Sequence, residues 1–210
     1  RYERATDGFP PVDQQRVPNV NDAPTLAALD RWDTDLVLVS GTTIVGEPVL
    51  RSAARRRGAL NLHTGISPYV KGGPNCTNWC LARRTFHLVG NTVMWIDPGV
   101  DSGNLVLTER TSLDGSEGLV DLHWKVMEHA HDLYRRAVEA IVAGRTVPNV
   151  PQSEVGSGPT FRNADWTPVE MARAVRNFRR HYRPAFASGR VERDASSIRL
   201  VSLDGMRSGA

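Results

Sequence analysis

Cysteine is scarce in this chain: Cys76 and Cys80 are the only two among 210 residues. Two thiols are too few to staple a disulfide scaffold. Cys-x-x-x-Cys with no further Cys or His beside it lacks the ligand set of a structural zinc site. Free thiols in a reducing, cytoplasmic compartment are the expectation. No run of 18 apolar residues occurs, so no membrane-spanning helix is expected. The first residues, Arg1-Tyr2-Glu3-Arg4, carry no apolar core of a signal peptide and no initiator Met. Gly-x-Gly-x-x-Gly is missing, which ranks a general dinucleotide-binding module low. His123, His129 and His131 do not fall at His-Glu-x-x-His spacing, so they read as surface or hydrogen-bonded helix residues and no metal is expected. Charge of one sign is also lacking: 26 basic against 23 acidic residues leaves +3. That balance argues against nucleic acid as a partner. Arg55-Arg56-Arg57 and Arg179-Arg180 read as solvated helix ends. There is no internal repeat.

What is present describes an ordinary globular chain, 40% hydrophobic and 23% charged, long enough for one good core plus an extension. Residues 1–23 are Pro-, Asn- and Asp-rich and read as irregular. A short helix is expected from Pro24 to Trp32, capped by Asp22. The continuous apolar run Asp35-Leu-Val-Leu-Val-Ser40 reads as a buried strand, followed by a helix from about Glu47 to Arg57 that Gly58 stops. Ala59 to His63 is the next strand, and strand–helix–strand order argues for a mostly parallel sheet. Ser67 to Asn75 reads as a loop, and Thr77 to Arg84 as a helix with Thr77 as its cap. Two further strands, Thr92 to Asp97 and Asn104 to Thr108, flank a turn. Gly118 to Ala143 is the clearest helix, with Leu119, Leu122, Val126, Leu133, Ala137 and Ile141 on one stripe. Residues 145–164 are rich in Pro, Gly and Ser and read as a linker or draped loop. Thr167 and Pro168 open a helix to about Tyr182. Ile198 to Leu203 is a last strand, and the tail from Gly205 is expected to be mobile.

Chemistry concentrates between Asn61 and Gly103. Asn61-Leu62-His63 alternates polar and apolar residues, so Asn61 and His63 face one side of a strand. Thr92-Val93-Met94-Trp95-Ile96 runs into Asp97-Pro98-Gly99-Val100-Asp101-Ser102-Gly103. If the two strands are neighbours, Asn61, His63 and Asp101 converge at their carboxyl ends, where open α/β sheets bind ligands. An amide donor, an imidazole and a carboxylate together can stabilise an oxyanion and move a proton. Taken singly, each has a plain reading: a strand-end amide, a core histidine, a turn aspartate.

The order Asn61-Leu62-His63, Pro68-Tyr69-Val70-Lys71-Gly72, Gly90-Asn91-Thr92-Val93 and Gly99-Val100-Asp101-Ser102-Gly103 resembles the formyltransferases that use 10-formyltetrahydrofolate. These include the glycinamide ribonucleotide, methionyl-tRNA and amino-sugar enzymes. The resemblance covers about Asp35 to Leu107. It implies an α/β Rossmann-like core with a mostly parallel sheet in residues 1–150, expected to lack the N-terminal βα units, and a C-terminal extension in 151–210. It implies catalytic roles for Asn61, His63 and Asp101. It places folate over Gly41, Thr42, Ile44 and Val45 on one loop and Asp97, Gly99 and Val100 on the other. Ile44 and Val45 are expected to form the pterin's apolar slot, while Gly99 and Gly103 allow positive φ and close approach. Met94 and the Asp97–Gly103 stretch resemble the tRNA type, whereas His63 to Tyr69 and Asn78-Trp79 are closer to sugar-type relatives. Trp79 is either core or a stacking platform. The implied activity is formyl transfer from 10-formyltetrahydrofolate to a small amine, a nucleotide-linked amino sugar first, with a homodimer allowed. Two alternatives stand beside it: hydrolysis of formyltetrahydrofolate, and a non-catalytic folate-binding or assembly module.

Overall fold

A computed structural model describes residues 12–99 and 101–209. Helix α1 (Ala23–Arg31) leads to strand β1 (Val37–Val39), helix α2 (Glu47–Ala54) and strand β2 (Ala59–His63). A two-residue strand β3 (Lys71–Gly72) precedes α3 (Cys76–Arg83), then β4 (Gly90–Trp95), β5 (Leu105–Arg110) and the 24-residue α4 (Leu119–Val142). The C-terminal part holds α5 (Gln152–Val155), β6 (Thr160–Phe161), α6 (Pro168–Asn177), a π turn at Phe178–Tyr182, α7 (Arg183–Ala187), α8 (Arg190–Ala195) and the hairpin of β7 (Arg199–Ser202) and β8 (Gly205–Ser208).

The α/β architecture holds, with one difference in the sheet. Its order is β1-β2-β4-β5; β1 and β2 are parallel, but β4 is antiparallel to both β2 and β5. Only nine residues join β4 to β5, and a parallel crossover needs a dozen or more. β1 is an edge strand with Leu38 49% exposed, not the fully buried strand its apolar run implies. The cap of α3 is Asn75, which accepts from the Asn78 N–H, and not Thr77. The tail from Gly205 is no loose end: it forms β8 against β7.

Helix α4 covers one face of the sheet. Its stripe Leu122, Val126, Ala130, Leu133, Ala137 and Ile141 is buried, and the lower half packs with Leu60, Leu62, Val93 and Leu107. Tyr134 carries this packing into the backbone: its hydroxyl accepts from the Val39 N–H at 2.9 Å and lies 2.9 Å from the Leu60 carbonyl. Burial pushes that phenol up to about 12. Leu60 and Leu62 face this core, which turns Asn61 and His63 to the opposite face.

A second cluster joins α3 to the C-terminal helices. Trp79 is 1% exposed, stacked on Phe161 at 4.0 Å and edge-on to Trp166 at 4.8 Å. It is core, not a platform. Tyr182 donates to Glu117 at 2.8 Å, and Glu117 also takes Lys125 at 2.7 Å and the Gly115 N–H at 3.0 Å. The Thr108 hydroxyl accepts from the Val201 N–H at 2.8 Å and fastens β7 to β5.

Two consequences are measurable. Thr108→Val leaves a buried N–H unpaired and is expected to cost about 1–3 kcal/mol. In a chain of this size that lowers Tm by about 2–4 °C per kcal/mol. Separately, the His129 ring and the Arg136 guanidinium, the latter at 2.7 Å, hold the Glu109 carboxyl at about 2 against an ordinary 4.5, with burial opposing them. A carboxylate depressed on folding stabilises the fold above the unfolded value, and that contribution is lost as pH falls toward the folded one. Stability curves of Glu109→Gln should therefore fall less steeply than wild type between pH 4.5 and 2.

Candidate active site

Strand β2 ends at His63 because the chain must turn at Thr64-Gly65. Thr92, opposite His63 in the antiparallel register, holds that turn: its hydroxyl donates to the Gly65 carbonyl at 2.6 Å and accepts the Ser67 N–H at 3.0 Å. The His63 ring is 8% exposed. Its Nε2 lies 3.4 Å from the Val70 carbonyl and 3.4 Å from Cys76 Sγ, and its Nδ1 faces Asp101 Oδ2 at 3.4 Å.

Asp101 reaches this place by an unexpected route. The Ile96 N–H donates to the Ala59 carbonyl, so the β4–β5 connection leaves the sheet at the amino end of β2, not the carboxyl end. It then folds back over the polar face. Asp97 shapes the return by accepting from the Gly99 N–H at 3.0 Å and from the Ser102 hydroxyl. Asp101 adopts φ +47°, a conformation costly for most side chains and more tolerable for aspartate. The glycines of this loop serve the close approach expected of them and not the positive φ. Neither Gly99 nor Gly103 takes positive φ; a side chain on Gly103 would run into the Trp95 carbonyl, and one on Gly99 into Ser102.

External donors hold Asp101 in its left-handed pose. Oδ1 accepts from Asn61 Nδ2 at 3.3 Å; Oδ2 accepts from the Gly72 N–H at 2.9 Å and faces His63. Its own carbonyl accepts from Gln152 Nε2 at 2.7 Å, and the same amide nitrogen reaches the Gly103 carbonyl at 2.9 Å. The three polar residues expected to meet do meet, around one carboxylate.

Beside them opens a cavity of about 190 Å³. Gly41, Thr42, Ile44 and Val45 line it from the β1–α2 loop, and Asp97 and Gly99 from the opposite loop; Asn61 and Asp101 stand at its edge. Val100 lies outside the described residues. Asn21 anchors the first loop, donating to the Ile44 carbonyl at 2.9 Å and accepting from the Gly46 N–H. Val45 is buried, whereas Ile44 is 66% exposed at the rim. His63 does not line the cavity; Asp101 stands between the ring and the opening. Among the described residues no His, Cys, Asp or Glu cluster is arranged to hold a metal. The nearby Cys76 thiol is pushed up by burial first and then by Cys80 and Asp101, so it stays a neutral group and no nucleophile.

Sequence reasoning missed Gln152. Residues 145–164 are no free linker: they drape over the site as a strap that holds α5 and β6. Tyr69 accepts the Arg199 N–H at 2.8 Å and donates to the Val155 carbonyl at 3.1 Å. Gly158 is needed because a side chain there would strike the Tyr69 carbonyl. β6 pairs in parallel with β3, the strand whose Gly72 N–H binds Asp101. The only signal in the sequence is a stretch low in apolar residues and rich in Pro, Gly and Ser, and it reads equally as linker.

A family model described as formyl transferase matches residues 5–138. The chain belongs to the formyl transferase family. Two methionyl-tRNA formyltransferases are similar to this chain. One, from Syntrophus aciditrophicus, is 26% identical over 155 residues, covering 70% of this chain and 47% of the relative. The other, from Methylacidiphilum infernorum, is 27% identical over 136 residues, covering 64% and 41%. This formyl transferase chain thus spans about half the length of the curated relatives it matches. In solved structures, the formyltransferase PseJ from Anoxybacillus kamchatkensis shares the fold with TM-score 0.52 at 20% identity, covering 62% of this chain and 66% of that one. A sugar N-formyltransferase from Shewanella does so with TM-score 0.58 at 13% identity, covering 76% and 65%.

The Gln152 clamp makes a direct prediction. Gln152→Met keeps the volume and removes both donors, leaving two carbonyls unsatisfied at about 1–3 kcal/mol each. Hydrogen exchange in residues 97–103 should accelerate about tenfold or more, while protection of α4 is unchanged.

Proposed function

We propose that this chain transfers a formyl group from 10-formyltetrahydrofolate to a primary amine on a small, nucleotide-linked sugar. The observation that carries the reading is Asp101: one carboxylate, bound by the Asn61 amide and facing the His63 ring, at the edge of a cleft between two glycine-bearing loops. In this reading the donor's ring system occupies the cleft, against Val45 and Ile44 in its lining. At about 190 Å³ the cleft takes the rings and leaves the rest of the donor in solvent. Support for the donor comes from the family and from structures of PseJ with tetrahydrofolate and of a Helicobacter canadensis N-formyltransferase with folinic acid. Both were solved with nucleotide-linked sugars, a UDP-linked formamido sugar and dTDP-3-aminofucose. The curated sequence relatives act on methionyl-tRNA by name, so the sugar acceptor rests on the structural neighbours.

In this reading the amine nitrogen attacks the formyl carbon and charge builds on the formyl oxygen. One Asn61 N–H is held by Asp101; the other is free to donate to that oxygen in the cleft. Asp101 takes the proton released by the attacking amine and returns it to the folate nitrogen, which leaves as its bond to the formyl carbon breaks. His63 acts from behind Asp101. When protonated it balances the carboxylate's charge across 3.4 Å, and the cage of Val70 and Cys76 keeps its ring in that plane. The Gly72 N–H and Gln152 keep the carboxylate aimed.

The test is tetrahydrofolate release from 10-formyltetrahydrofolate with the amine precursor of a UDP-linked 4-formamido sugar. Asp101→Asn retains a residue tolerant of positive φ and is expected to lower kcat about 10²–10⁴-fold. Asn61→Ala should lower it about 10²–10³-fold. Full activity in Asp101→Asn refutes the assignment. Formate released in the absence of any amine would move the chain to the hydrolase class.

A further inference from the structure

The formyl-transfer cleft absorbs none of the chain's arginine clusters, and one of them is built around a hollow. A depression of about 420 Å³ lies between the end of α3 and one face of α6. Arg83, Arg84, Arg173, Arg176, Arg180 and His181 line it. The only acid paired with any of them among the described residues is Glu170, which takes Arg173 at 2.6 Å and Arg83 at 3.4 Å. Among the described residues no ion pair engages Arg84, Arg176 or Arg180. Five guanidinium groups therefore face one shared carboxylate.

The hollow is held open by structure. Asn177, 6% exposed, donates to the Leu81 and Ala82 carbonyls at 3.2 and 2.8 Å and fastens α6 to the last turn of α3. Arg83 lies over the Trp79 ring, 5.5 Å from its centroid, and Trp79 is itself buried. Cations held this close repel one another, at a cost that salt only partly screens. An anion entering the hollow removes that cost. Arginine's planar fork matches phosphate oxygens two at a time. An excess of about four positive charges calls for more than a monoanion. The volume is that of a small-molecule site, at the low end of the usual ~300–1,000 Å³, and its charges converge on a hollow instead of spreading along a face. α3 carries Cys76, beside His63, in its first turn, and Arg83 in its last. At about 1.5 Å per residue the two ends lie about 10 Å apart.

We propose that this depression binds the diphosphate of a small molecule, either a free nucleoside diphosphate or a nucleotide-linked sugar. Binding is read without turnover, so the proposal stands or falls separately from formyl transfer. The experiment is isothermal titration of the full chain with inorganic pyrophosphate, UDP and UDP-glucose, at two salt concentrations. Saturable binding of pyrophosphate and UDP that weakens with salt is expected. Arg176→Gln/Arg180→Gln should weaken it at least tenfold at unchanged Tm, and Arg84→Gln, just past the end of α3, by at least threefold. Arg145→Gln, exposed and remote in sequence, should leave it unchanged. UDP-glucose binding as tightly as UDP identifies a nucleotide-linked ligand; a preference for UDP identifies the free nucleotide. Absence of saturable binding at millimolar ligand overturns the proposal. So does binding that survives both arginine variants, or binding of a single-stranded RNA oligomer with none of pyrophosphate or UDP.

Discussion

A single carboxylate in a left-handed backbone pose is the constraint on which the site depends. Asp101 would not stay at φ +47° on its own account. It is kept there because each of its oxygens has a donor supplied from elsewhere: Asn61 from β2, the Gly72 N–H from β3, and Gln152 from α5. Those donors are themselves anchored. Asn61 sits in a strand whose other face is locked into α4, Gly72 is paired to β6, and Gln152 is a buried residue of the strap itself. Strain at the chemical group is thus balanced by packing in three separate segments.

This arrangement makes the C-terminal segment part of the site and not an appendage. Tyr69, next to the loop that cages His63, hydrogen-bonds to both Val155 and Arg199. Trp79 in α3 stacks on Phe161 of the strap. The same α3 that brings Cys76 to His63 packs along α6, so the placement of the imidazole and that of the C-terminal helices are mechanically joined.

Much of the architecture was legible in residue order because it is decided locally. The stripe of α4 is a 3.6-residue period that only a helix satisfies, and Ala59 to His63 matches its strand boundaries because alternation and Gly58 mark both ends. Asn61, His63 and Asp101 were legible as a set, as were Gly41 to Val45 and Asp97 to Gly99 as opposing loops. Thr77 and Asn75 are both capping residue types, and the residue types alone do not say at which of them the helix begins; the structure starts α3 after Asn75, the stronger cap. In sequence the residues of β8 look like a loose tail, because a four-residue strand gains its stability from the partner it pairs with and not from its own residues.

What the sequence alone determined is the side-chain inventory and its local period: which helices form, which strand carries Asn61 and His63 on one face, and which family the chain resembles. Tertiary structure alone decided the antiparallel course of β4, the path by which Asp101 returns from the far end of β2, and the recruitment of Gln152 from 51 residues away. The reason is physical. Period and capping are contests among neighbours in the chain, whereas a hydrogen bond between distant segments exists only once the core has set the distance between them.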